Sequence, residues 1–275
     1  MPLKALNKLS GSFSRTQKMP VLFLGHGSPM NGIEENVFVE GFKKVGEEIQ
    51  YPRAILCISA HWETKGTYVT AMENPRTIHD FGGFPQALFD VQYPAPGSPS
   101  LAQETKDLIT NTKIGLNESW GLDHGAWSVV KHLYPKADVP IIQMSLDYTK
   151  PAKYHFELAQ QLSLLRQKGV LIIGSGNMVH NLGKVAWDKL QGEPFAFEWA
   201  IEANEKMKAF IEDGDFQSLI DFRSQGRAFD LAIPTPEHYL PLLYALALKE
   251  KKDETTIFND QPIGGSLSMT SVKFN

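Results

Sequence analysis

The chain has a single cysteine, Cys57, among 275 residues, so no internal disulfide can form and a reducing, cytoplasmic setting is the simplest expectation. Cys57 lies in the apolar run from Ala54 to Ala60, where a thiol reads as a small core residue and not as a nucleophile. No apolar run approaches the ~18 residues of a membrane-spanning helix. Residues 1–19 also lack the sustained apolar stretch of a secretory signal. The formal net charge is -4 and Lys and Arg are scattered, which argues against a nucleic-acid partner, since phosphates call for basic residues gathered on one face. No internal repeat of fixed period occurs. Several short catalytic signatures are missing as well. Val179 stands where a dinucleotide cradle built on Gly174-Ser175-Gly176 needs its third glycine. Ser28 sits in His-Gly-Ser-Pro instead of Gly-x-Ser-x-Gly, and no His-Glu-x-x-His pair is present.

Short, β-branched or leucine-rich apolar runs bounded by Pro or Gly predict strands at 20–25, 54–60, 139–146 and 170–174, with further strands at 67–72 and 266–274. Helical spacing of apolar residues predicts a helix over 152–168, where Phe156, Ala159, Leu162 and Leu165 recur and Gly169 follows as a stop. Other helices are expected at 36–49, 99–110, 126–134, 197–212 and 236–249. Strands separated by helices imply one α/β domain with a central, mostly parallel sheet flanked by helices on both faces. That domain is expected to span residues 20–275. Residues 1–19, with Lys4, Lys8, Arg15 and Lys18 unopposed by any acid and a Gly-Ser-rich stretch, read as a flexible leader.

The eight histidines carry the chemistry. His26 follows the strand ending at Gly25, His61 follows Ala54 to Ala60, and His180 follows Val170 to Gly174 through Ser175-Gly176-Asn177. Ligands bind beyond the carboxyl ends of the strands in open α/β sheets, so these three can converge on a metal site there. His238, in Pro234-Thr235-Pro236-Glu237-His238, is held by a proline-stiffened loop entering a helix, with Glu237 competing for the same role. On a helix the two would point ~100° apart, so one of them is expected to face the site. His124, in Asp123-His124-Gly125, reads either as a loop cap or as an acid/base group. His132 and His155 fall inside helices without special neighbours and are assigned to structure. His79 lies in the Pro-, Gly- and aromatic-rich excursion from Glu73 to Gly97, which is read as a binding wall.

Seven motifs occur in order: Gly25-His26-Gly27-Ser28-Pro29-Met30, Ser59-Ala60-His61-Trp62, His79-Asp80-Phe81-Gly82-Gly83-Phe84-Pro85, Tyr93-Pro94-Ala95-Pro96-Gly97, Asp123-His124-Gly125-Ala126-Trp127, Gly174 to His180, and Pro234 to His238. With them the chain resembles the DOPA-extradiol-dioxygenase branch of the class III extradiol ring-cleavage dioxygenases, the superfamily of the LigB subunit, over nearly everything from Met19 onward. The resemblance implies one divalent metal at His26, His61 and His238, with His180 as fourth ligand or base. It further implies His124 as the group that orients oxygen and returns a proton, and His79, Phe81 and Phe84 against the substrate. The expected partners are a small catechol such as DOPA, opened at its 4,5 bond, and O2. Lignin-degrading relatives are expected to use two histidines and a glutamate, so His238 is a departure. An all-histidine set carries no ligand charge and should hold Fe(II) less firmly against Zn(II); turnover needs iron, while isolated protein could contain zinc. The rival readings are a zinc hydrolase and a non-catalytic metal-binding protein of the same fold.

Overall fold

A computed structural model describes residues 18–190 and 194–275. Strands β1 (Val21–Gly25), β2 (Ala54–Thr64), β5 (Ile141–Asp147) and β6 (Val170–Gly176) form the parallel centre of an eight-stranded sheet. Side chains alternate across a strand, and here both faces are dry. Val21 and Phe23 of β1, Leu56 and Ile58 of β2 and Ile172 of β6 enter one core, while Leu22, Leu24, Ile55, Cys57, Leu171 and Ile173 enter the other. The helices Val37–Glu48 and His124–Leu133 cover the second face through Phe42, Val45, Trp127 and Val130. Pro99–Leu108, Ala152–Gln160, Glu198–Asp213 and Leu240–Ala247 cover the first. Two covered faces explain why the central strands read as continuous apolar runs.

With β3 (Thr67–Thr70), β4 (Ile114–Asn117), β7 (Thr255–Phe258) and β10 (Ser271–Phe274), the order is β4-β3-β5-β2-β6-β1-β10-β7. β3–β4, β5–β2, β2–β6 and β6–β1 are parallel, whereas β3–β5, β1–β10 and β10–β7 are antiparallel. The expected single α/β domain with a mostly parallel sheet is the architecture observed. Four parallel strands run the same way, so the ends of β1, β2 and β6 open on one edge, where His26, His61 and His180 emerge.

The differences have local causes. β4 and β7 are edge strands of four residues, partly exposed and without an apolar run to announce them. The stretch 266–274 is two strands, β10 and the short β9 (Leu267–Ser268), the latter paired with β8 (Pro262–Ile263). The helix expected at 152–168 breaks after Gln160 and resumes at Ser163. Between them Gln161 and Leu162 donate to Leu158 and Ala159, a tighter winding that keeps Leu158, Ala159, Leu162 and Leu165 in the core.

Residues 1–17 of the expected leader lie outside the described residues, but Lys18 and Met19 belong to the folded body. Met19 is buried, its N–H donates to the Arg166 carbonyl (3.0 Å), and its carbonyl accepts from Arg166 Nε (2.8 Å). The Arg166 guanidinium is itself buried, and its Nη1 donates to the Leu248 carbonyl and pairs with Asp253 at 2.7 Å. Lys18 pairs with the other Asp253 oxygen. Asp253→Ala would strand that guanidinium without its counter-charge, which typically costs about 3–5 kcal/mol. A fall in melting temperature on the order of 10 °C, read by calorimetry, is the expected result. A shift within a degree or two would mean that the backbone carbonyls alone satisfy Arg166.

Candidate metal centre

Each site histidine is placed by a specific local device. His26 follows β1 directly, and its N–H donates to the carbonyl of Gly176 at the end of β6 (3.1 Å). His61 sits where the β2–β5 register shifts between Ile58 and Glu63, a bulge that re-aims side chains. His238 lies in a turn in which Tyr239 N and Leu240 N donate to the Pro236 carbonyl, and its own carbonyl accepts from Asn177 N (2.8 Å). A Cβ on Gly176 would stand 2.1 Å from that carbonyl oxygen, so only glycine lets this turn lie against the end of β6. His124 opens its helix behind the Asp123 cap, whose Oδ1 accepts from Ala126 N (3.1 Å) and Ser59 Oγ (2.6 Å). Gly125 leaves room for His61, whose Cδ2 would come within 2.8 Å of a Cβ there.

The rings of His26, His61 and His238 form a near-equilateral triangle, with centroids 5.0, 5.3 and 5.0 Å apart. His124 lies 3.8 Å from His61, and His180 stacks on His238 at 3.5 Å with planes 9° apart. Ring nitrogens within 4.8 Å of one another make two adjoining groups, one of His26, His61 and His124 and one of His180 and His238 with Glu237.

Hydrogen-bond partners settle where the ring protons are. Ser175 Oγ donates to the Gly125 carbonyl, so at 3.1 Å from His26 Nδ1 it is placed to accept. Glu237 Oε1 accepts from His238 Nδ1 (3.0 Å), and the Asp80 carboxylate faces His61 Nδ1 (3.3 Å). All three rings therefore carry hydrogen on Nδ1 and leave Nε2 as a bare lone pair, the arrangement that metal-ligating histidines show. The Nε2 atoms of His26 and His61 are 3.1 Å apart. With neither protonated they cannot bond each other, and a cation is what makes their approach favourable.

Charge points the same way. Burial, reinforced by neighbouring histidines, holds His26 and His238 well below the usual imidazole range. Burial and His124 lower His61 to about 3 against the opposing pull of Asp80 and Glu237. Burial lowers His180 to about 4, with Glu237 pulling back. These imidazoles are neutral at pH 7 and need lose no proton to bind a metal. A cluster of neutral nitrogens beside carboxylates calls for a divalent metal ion.

His79 Nε2 donates to the Val91 carbonyl (3.0 Å), and its ring packs against Phe81, Phe89 and Trp127. Phe81 meets His124 edge-on at 5.5 Å and Phe84 at 5.4 Å, so the aromatic loop does border the cluster. His132 Nε2 bonds the Asn31 carbonyl and His155 Nδ1 the Tyr244 hydroxyl, both away from the site, in keeping with structural roles. The expectation that only one of Glu237 and His238 faces the site is overturned. They lie in a turn ahead of the helix starting at Leu240, so helical spacing does not separate them and their side chains touch. Sequence reasoning left Asp80 and Ser175 without roles. Both are acceptors for rings that meet them only in three dimensions; the acid beside His79 in a long ordered loop was the available signal.

A family model described as the catalytic LigB subunit of aromatic ring-opening dioxygenase matches residues 19–266. A protein of Escherichia coli K12 named 4,5-DOPA dioxygenase extradiol is 47% identical over 263 residues, covering 93% of this chain and 94% of its own. A Beta vulgaris protein of the same name is 33% identical, covering 92% and 95%. A crystal structure of an uncharacterized Escherichia coli K12 protein superposes with a TM-score of 0.81 at 41% identity, covering 94% of this chain and all of that one. Strand-end histidines, their acceptors and these matches agree: the chain belongs to the LigB family of aromatic ring-opening dioxygenases.

Proposed function

We propose that the chain is an Fe(II)-dependent extradiol dioxygenase that opens the ring of DOPA, or of a close catechol, at the 4,5 bond. The observation that carries this reading is the convergence of His26, His61 and His238, each with Nδ1 occupied and Nε2 bare, beside two further histidines that are free to handle protons. When bound, Fe(II) supplies open positions for two adjacent phenolic oxygens and O2 and a route for electrons between them. Relatives named for DOPA cleavage support the choice of catechol.

Within this reading Glu237 orients His238 and is not itself a ligand, because its Oε1 is engaged by His238 Nδ1 and by Thr235 Oγ1 (2.9 Å). His180 acts as a base. His180 lies face to face with His238, 3.5 Å away, and burial keeps it neutral at pH 7. The neutral His180 ring takes the proton released by a catechol hydroxyl, and His124 orients oxygen and returns a proton. Phe81 and Phe84 wall the substrate ring, and His79 holds their loop through Val91.

The test is anaerobic Fe(II) reconstitution, addition of DOPA, then O2 labelled with heavy oxygen. One O2 should be consumed per DOPA, giving a yellow semialdehyde of the 4,5-cleaved ring that retains both labelled atoms. Cleavage between the two hydroxyls, or incorporation of one atom only, would overturn the assignment.

A further inference from the structure

We propose that Asp80 is a positioning residue whose single carboxylate fixes the proton of two histidines at once, His61 on the metal side and His124 on the acid/base side. The proposal rests on the reading of the site given above. Asp80 Oδ1 accepts from the backbone N–H of His124 (2.8 Å), and Oδ2 accepts from His124 Nδ1 (2.9 Å) and faces His61 Nδ1 (3.3 Å). An ionised carboxylate only accepts, with about four lone-pair sites. Two N–H groups of His124 therefore donate to this carboxylate, and His61 Nδ1 lies within ion-pair distance of the same oxygen. Both rings must carry hydrogen on Nδ1, and both Nε2 atoms are left bare.

The carboxylate is itself held in place. Trp127 Nε1 donates to the Ile78 carbonyl (2.8 Å), Ile78 N donates to the Leu122 carbonyl (2.7 Å), and His79 bonds Val91. Phe81 packs edge-on against His124. Asp80 thus reaches the histidines from the loop that walls the substrate, and its pinned neighbours keep His124 aligned before any ligand arrives. Asparagine at this position is diagnostic. With its oxygen toward the rings, its NH2 opposes the His124 backbone N–H. In the flipped orientation the NH2 faces both Nδ1 atoms and drives the ring hydrogens to Nε2.

The experiment uses full-length protein with 15N-labelled histidine, metal-free and zinc-loaded, and reads ring tautomers by two-bond proton–nitrogen correlation. Comparison with His124→Phe identifies the His124 signals. Wild-type His124 should show the Nδ1–H pattern, Asp80→Asn should shift it to Nε2–H, and Asp80→Glu should restore it in part. This arm needs neither iron nor turnover, so it stands or falls separately from the proposed reaction. In the iron form, Asp80→Asn should lower kcat by roughly 100-fold, the scale of a positioned acid/base group. The catechol KM should change by no more than a few-fold. Added to His124→Phe, Asp80→Asn should cost little more, since residues acting through one another are not additive. An unchanged His124 tautomer in Asp80→Asn would overturn the proposal. So would effects of Asp80→Asn and His124→Phe that multiply.

Discussion

Replacing His26, His61 or His238 with alanine is expected to empty the site, with bound metal falling from about one ion per chain to near background and catechol turnover falling with it. On the proposed reading the three Nε2 lone pairs are the donors. His124, which offers a ring nitrogen within 4.8 Å of those of His26 and His61, is held by Asp80 through Nδ1 for the acid/base role. Loss of an orienting partner costs roughly 10–100-fold in metal affinity. Glu237→Gln should fall in that lesser range, whereas His238→Ala should exceed it by far. Metal analysis after dialysis against a graded chelator series separates the two. Full metal in His238→Ala together with complete loss in Glu237→Gln would make the carboxylate the third ligand, as expected for the lignin-degrading relatives.

Exchange of the metal should have an all-or-none effect. Protein loaded with Zn(II) is expected to bind DOPA yet leave dissolved oxygen untouched, while protein loaded with Fe(II) consumes it. Zinc has no accessible redox change, although imidazole nitrogens are suitable ligands for it. An oxygen electrode with the two forms at equal occupancy is the measurement, and a spectral titration of the zinc form with catechol shows that binding survives. Equal oxygen consumption by both forms would sink a dioxygenase reaction. Zinc-dependent hydrolysis of an ester or amide would promote the hydrolase in its place.

Particular residues show what was legible in the sequence. His26, His61 and His180 could be placed because each follows an apolar strand, and parallel strands bring distant ends to one edge. His238 was found through the prolines around it. Asp80 was not, since both its partners are far away in sequence and no spacing rule links a loop acid to them. Nor does sequence say which ring nitrogen carries hydrogen. That depends on Ser175, Glu237 and Asp80 standing within hydrogen-bond reach, which is a property of packing. The edge strands β4 and β7 escaped notice because partial exposure relaxes the demand for apolar residues. The expected terminal strand is broken at Met269 and Thr270: its first part, Leu267–Ser268, pairs with Pro262–Ile263 across the turn at Gly264 and Gly265, both at positive φ, and β10 begins at Ser271.

The pairing of β1 with β6 has a cost during synthesis. Phe23 lies opposite Gly174, so the strand that delivers His26 must wait for some 150 residues to be made before its parallel partner exists. At about 5–20 residues per second, an emerging chain exposes Val21 to Leu24 for roughly 10–30 s without a sheet to join. During that interval a fully apolar strand is open to pairing with other nascent chains, and none of His26, His61 and His238 is yet beside another. Slow, non-local closure of this kind leaves β1 exposed to aggregation until β6 has been made.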